Sequence, residues 1–184
     1  MASMLEPATH IRLLSATALK RINSMDYLFV DTETGGLNPQ DHSLLTLAAI
    51  RTDESFVEKE RYTFEFICDV YHVTPKALSV NKINLIYLTL TGVPYDMAQP
   101  IFTDCILAGW NVQFDRGFID YYINPARLSH RMLDVQSIYM FNTGTVTGLY
   151  GAAQRLALPE PDHTALQDVL VTLEIARHFR KLRH

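Results

Sequence analysis

The chain predicts an α/β or α+β sandwich, a mixed five-stranded sheet flanked by helices. Three observations carry this: β-rich stretches come first, strands and helices alternate afterwards, and 184 residues with 48% hydrophobic content suit one domain with a sizeable core. Residues 26–32, 43–52 and 61–68 read as strands. The short polar links Asn38-Pro39-Gln40-Asp41 and Thr52-Asp53-Glu54 join them as a meander. Thr74-Pro75-Lys76-Ala77-Leu78 opens a helix with proline in its first turn, and a helical or irregular connection follows to about Gln99. Residues 104–109 read as a fully buried strand, 112–122 as a helix and 132–135 as a short strand; helices then fit 136–141, 146–158 and 165–182. No repeat, low-complexity tract or interdomain linker breaks this order.

Residues 1–25 form a separate unit in this reading, an N-terminal helical extension ahead of a domain over 26–184, because Ile11, Leu14, Ala18 and Ile22 fall at helical spacing. Glu6 is the only acid before Asp26, a composition that also fits an organellar transit peptide. The longest apolar stretches are too short to span a bilayer and no secretory signal pattern opens the chain, so the expected location is cytoplasmic with no membrane partner. Cys68 and Cys105 lie far apart in apolar contexts, as buried free thiols of a reducing compartment would.

The net charge of −4 excludes a large basic field of the kind that binds duplexes without regard to sequence, so any nucleic-acid contact must be local. The basic cluster Arg177, Arg180, Lys181 and Arg183 sits where cations favour the C-terminal end of a helix, and capping explains it better than substrate binding. Gln154 to Pro159 faintly resembles a sliding-clamp peptide, but Leu149, Ala152, Ala153, Leu156 and Ala157 read as a helical core stripe across it.

Chemistry enters at Tyr27-Leu28-Phe29-Val30-Asp31-Thr32-Glu33, where an apolar strand ends in two carboxylates two residues apart. Side chains alternate along a strand, so Asp31 and Glu33 share a face, and like charges that close call for a cation between them. Hard divalent ions such as Mg²⁺ or Mn²⁺ take carboxylate oxygens. Gly35-Gly36 follows, a turn that lets backbone approach a ligand. Asn111 is placed to cap the next helix, on which Asp115 shares the apolar face of Phe118, Ile119 and Tyr122. In the last helix Asp168 shares a stripe with Ala165, Thr172, Ile175, Ala176 and Phe179. Two inward aspartates both need a partner, since an uncompensated buried carboxylate is costly. His163 falls in the loop entering that last helix, where an imidazole suits a general base near neutral pH. Of the other histidines, His42 and His72 are placed near the rim of the sheet.

The segments Asp31-Thr32-Glu33-Thr34-Gly35-Gly36-Leu37, Trp110-Asn111-Val112-Gln113-Phe114-Asp115 and His163-Thr164-Ala165-Leu166-Gln167-Asp168 resemble, in order and spacing, the three motifs of the DEDDh subgroup of DnaQ-like 3′-to-5′ exonucleases. The likeness covers about Met25 to His184, and Gly35 stands where many members have a second threonine. It implies a ribonuclease H-like fold and hydrolysis that releases nucleoside 5′-monophosphates from single-stranded or frayed DNA 3′ ends. It also implies two divalent ions, Mg²⁺ or Mn²⁺, one held by Asp31, Glu33 and Asp168 and the other by Asp31 with Asp115 among its ligands. His163 would take the proton of the attacking water. Thr32, Thr34, Leu37, Asn111 and Phe114 would meet the terminal nucleotide, Leu37 and Phe114 as apolar surfaces against its base. An RNA exonuclease resembling ribonuclease T or oligoribonuclease is the alternative, and a polymerase is a candidate partner. A non-catalytic, polymerase-associated or nucleic-acid binding subunit of the same fold is opposed by the intact acids and His163.

Overall fold

A computed structural model describes residues 25–125 and 127–182. Strands β1 (Asp26–Thr34), β2 (Leu44–Thr52) and β3 (Glu58–Glu65) pair antiparallel. β4 (Cys105–Gly109) joins β1 in parallel and β5 (Met132–Asp134) joins β4 in parallel, giving one mixed sheet in the order β3-β2-β1-β4-β5. The expected five-stranded sheet is therefore present. Its third strand starts earlier than its apolar residues suggested. Asp53 Oδ1 accepts the amides of Ser55 and Val57, closing a tight turn that sends Glu58, Lys59 and Glu60 straight into pairing with β2. Charged side chains on an edge strand also oppose pairing with another chain.

Helix α1 (Pro75–Asn81) starts as predicted, with Thr74 Oγ1 accepting the Ala77 amide, and α2 (Leu85–Thr91) is capped by Asn84. A 3₁₀ segment spans Tyr95–Phe102. Helix α3 (Val112–Phe118) runs on as a π-helical turn over Ile119–Ile123. The remaining helices are α4 (Val135–Thr143), α5 (Leu149–Arg155) and α6 (Ala165–Lys181). α5 is shorter than the apolar pattern implied. Ala157 is exposed with a left-handed φ of 52°, so the stripe ends with Leu156.

The alternation of β1 divides the interior. Phe29 faces a core of Val169, Leu173 and Ala176 from α6 with Ala152, Ala153 and Tyr139, whereas Leu28 and Val30 face Phe102, Val112, Phe118 and Ile119. Asp31 and Glu33 continue the Phe29 side and so point toward α6, while Thr32 continues the other side toward α3. Both cysteines are free, Cys105 buried and Cys68 partly so. Arg177 donates to the Phe56 carbonyl and pairs with Glu174, and Arg180 lies over the Phe56 ring, which makes this end of the basic cluster part of the packing. Arg183 and residues 1–24 of the N-terminal extension lie outside the described residues. Among those described, no helix is long and apolar enough to cross a membrane.

Candidate active site

β1 outruns β4. Their pairing ends at Phe29↔Ala108, so Asp31 to Thr34 project past the parallel neighbour and are bordered there by the start of α3. Asp115 fills the vacated side: its Oδ1 accepts both the Thr32 amide, at 2.9 Å, and Thr32 Oγ1, at 2.7 Å. It is only 2% exposed. On the other face, Asp31 and Glu33 meet Asp168 from the first turn of α6, and each of these three offers an oxygen within 4.8 Å of the others. Asp115 stands outside that trio yet is near enough to push the Asp31 carboxyl upward.

All four acids are held above the ordinary carboxyl range, and burial is the largest cause in every case. Asp31 is raised well above it, with Asp115, Asp168 and Glu33 adding repulsion. Glu33 is pushed up to about 8, with Asp168 and Asp115 contributing, and Asp168 to about 6. Asp115 reaches about 7 even though both Thr32 bonds pull it down. Asp168 Oδ1 is buried with no hydrogen-bond partner, and nature rarely leaves such an atom unmatched. An oxygen-only donor set, mutually repelling and containing an orphaned carboxylate oxygen, fits a hard divalent cation of the magnesium class.

These shifts set a pH dependence for the metal-free protein. Unfolded carboxyls titrate near about 4, so the folded acids, titrating higher, add stability that is full below that pH and is lost as pH rises through the folded values. In EDTA the melting temperature should therefore fall between about pH 5 and pH 8. Mn²⁺ or Mg²⁺, binding the native site alone, should raise it most at the alkaline end. Asp115→Asn removes one repelling charge and should make the EDTA form more stable than wild type at pH 8, by about 1 kcal/mol. Melting curves in EDTA and in Mn²⁺ check this; a wild type indifferent to metal and an Asp115→Asn that melts lower would refute it.

His163 caps the arrangement. Asp162 Oδ1 accepts the Thr164 amide and Oγ1 at 3.0 and 2.6 Å, and Thr164 in turn caps α6 through the Gln167 amide. The tip of this turn is His163, exposed and at a left-handed φ of 62° that histidine tolerates better than most residues. Its imidazole acts on the Asp168 carboxyl, opposing the effect of burial.

Beside Glu33 a cleft of about 480 Å³ opens between the loop after β1 and helix α1. Leu37, Phe114, Ala77 and Val80 form its apolar walls, and Leu37 is 85% exposed, a lining side chain and not core. Thr32, Thr34, Leu37 and Phe114 all line it. Asn111 does not. It is exposed, adopts a left-handed φ of 55° and makes no side-chain cap, its amide instead donating to Asp134 Oδ1. The chain needs that left-handed residue to turn from β4 into α3, and this conformation replaces the extended one of a capping residue.

Gly36 lines the cleft, and both glycines also pack tightly against the chain itself. A Cβ on Gly35 would stand 2.1 Å from the His72 carbonyl oxygen, and one on Gly36 2.2 Å from the His42 ring. They admit the chain's own neighbours, which explains why a second threonine has no room at Gly35. Lys76 and His42 line the cleft without any motif having marked them as site residues. Proline at the helix start was the only nearby signal for Lys76.

Residues 28–176 match the profile of a family described as exonuclease, RNase T. The oligoribonuclease of Tropheryma whipplei (strain Twist) is 26% identical over 174 residues, covering 84% of this chain and 91% of that protein. Among solved structures, a zinc-bound E. coli exonuclease I–single-stranded DNA complex superposes with a TM-score of 0.74 at 22% identity, over 88% of this chain and 41% of that one. Exonuclease I of Methylocaldum szegediense gives 0.72 at 20% identity, over 85% and 40%. The chain thus spans about two fifths of those exonuclease I structures, and they share its fold. With the profile matched across most of its length, the chain belongs to the RNase T exonuclease family, within the DnaQ-like 3′-to-5′ exonucleases of ribonuclease H-like fold.

Proposed function

We propose that the protein is a metal-dependent exonuclease that removes nucleoside 5′-monophosphates from the 3′ ends of single-stranded or frayed DNA. The observation that carries this is the junction of the Asp31, Glu33 and Asp168 trio with an apolar cleft that Glu33 itself lines. Asp31, Glu33 and Asp168, with Asp115 beside them, would hold divalent ions of the Mg²⁺ or Mn²⁺ class, which would supply neutralising charge to the scissile phosphate. His163 takes the proton of the attacking water, and the 3′-oxygen of the preceding nucleotide leaves. Backbone groups at Thr32 to Thr34 position the terminal nucleotide, and Leu37 and Phe114 cover its base without sequence preference. In this reading the domain is residues 26–184.

A second reading, an RNA exonuclease, draws support from the relative named oligoribonuclease, most of whose length the chain covers. Exonuclease I bound to single-stranded DNA favours the first. Incubating 5′-labelled DNA and RNA of one sequence with the protein and Mg²⁺ decides between them. A ladder shortening from the 3′ end is expected on DNA; shortening of RNA alone selects the second reading, and no shortening of either refutes both.

Among the described residues Lys76 is the one lysine or arginine of the cleft lining, and a phosphate of the strand is its natural partner. Lys76→Ala should raise KM for a single strand more than it lowers kcat. It should also lessen the slope of log KM against log salt by about 0.7, the counterion share of one phosphate on a single strand. An unchanged slope would remove Lys76 from the strand's path.

A further inference from the structure

The cleft beside Glu33 has apolar walls, and most of its polar side chains already spend a group on the protein itself. Thr32 Oγ1 donates to Asp115 and Thr34 Oγ1 to the Gly36 carbonyl, each at 2.7 Å. Thr74 Oγ1 accepts the Ala77 amide. Asn81 spends Nδ2 on the Thr34 carbonyl and Oδ1 on the Ile83 amide. Setting Glu33 aside with the metal-seeking acids, the described lining residues that keep the most to offer a ligand are Lys76, a point charge suited to phosphate, and His42, through one ring nitrogen, with the Thr74 hydroxyl proton beside them.

His42 is held as a fixed probe. Its amide donates to the Asn38 carbonyl at 2.9 Å, its own carbonyl accepts Tyr122 Oη at 2.8 Å, and its ring lies against Gly36. Nδ1 is 3.1 Å from the Asn38 carbonyl oxygen and 3.4 Å from the Asn38 amide nitrogen. Either bond occupies that nitrogen, which leaves Nε2 for a ligand in either tautomer. A ring nitrogen that can act as donor or acceptor matches a hydroxyl, which can do the same.

Position selects which hydroxyl. In a nucleotide the sugar lies between the phosphate and the base. Along the loop, Gly36, against which His42 rests, lies between Glu33 of the acidic trio and Leu37 of the apolar wall. We infer that His42 is the specificity-determining contact of the cleft, hydrogen-bonding through Nε2 to a hydroxyl of the sugar at the strand's 3′ end. This rests on the exonuclease reading and adds to it the group that reads the sugar.

The test uses 5′-labelled strands of one sequence that differ only in their terminal sugar: deoxyribose, ribose or 2′,3′-dideoxyribose. Wild type should separate the best from the worst end by on the order of tenfold in kcat/KM, because a site that hydrogen-bonds a hydroxyl rejects the analogue lacking it. His42→Ala should compress that spread to within about twofold, since the group that distinguished the ends is gone. Gly36→Ala, whose methyl pushes the ring aside, should compress it likewise and serves as the second variant should His42→Ala melt well below wild type. A wild type that treats the three ends alike, or folded variants that keep the wild-type spread, would overturn the role of His42 alone. A wild type that shortens none of the strands would overturn the exonuclease reading and this inference with it.

Discussion

Asp168→Asn and Asp115→Asn should each cut turnover by at least about a thousandfold while leaving the protein folded, the scale expected when a charge clamp on a phosphoryl group is dismantled. The two substitutions test different geometry. Asp168 brings the third carboxylate to Asp31 and Glu33, and its buried Oδ1 has no protein partner, so an amide nitrogen placed there loses charge while the remaining oxygen can still accept from the backbone of the turn before α6. Asp115 is tied to Thr32 through Oδ1 alone, and the asparagine oxygen can still accept both Thr32 bonds. Volume hardly changes in either case, so circular dichroism and melting should report a native fold. Retention of more than about a tenth of wild-type kcat/KM by either variant would remove that residue from the metal-holding set.

The parts of the site legible in the sequence were those written in short periods. Asp31 and Glu33 stand two apart on a strand whose apolar run is unmistakable, and the structure keeps them on one face. Asp115 and Asp168 were visible as acids inside apolar helical stripes, and both lie where the stripe pointed, toward β1. What was illegible depended on partners remote in sequence or on backbone geometry. Nothing in Thr32 announces that its amide and hydroxyl will be claimed 83 residues later by Asp115, because that contact exists only once β1 outruns β4. Asn111 carries the composition of a helix cap, yet the tight passage from β4 to α3 demands a left-handed residue and the capping conformation is lost. The glycines after Glu33 read as room for a ligand, and although Gly36 does line the cleft, nothing in sequence showed that the His72 carbonyl and the His42 ring take the Cβ side of each. The start of β3 was hidden because Glu58, Lys59 and Glu60 pair through backbone atoms, which no hydrophobic pattern records.

His163 offers the other large expected effect. His163→Ala should lower kcat by about 10²- to 10⁴-fold, the range for loss of a positioned general base, while binding of a single strand measured in Ca²⁺ changes little. The residue is well suited to such a separation of chemistry from binding: it is exposed at the tip of a turn, contributes nothing to either core, and does not line the cleft beside Glu33. The turn is held by its neighbours, with Asp162 accepting twice from Thr164 and Thr164 capping α6, so the loop survives loss of the ring. Backbone strain is the one structural side effect to control, since alanine at a φ of 62° is less comfortable than histidine. Asparagine tolerates that region as well as histidine does but cannot take up a proton near neutral pH, so His163→Asn should match the alanine variant in kcat and wild type in melting temperature. If strand binding in Ca²⁺ fell as far as turnover in both variants, His163 would be holding the substrate and the proton of the attacking water would have to go elsewhere.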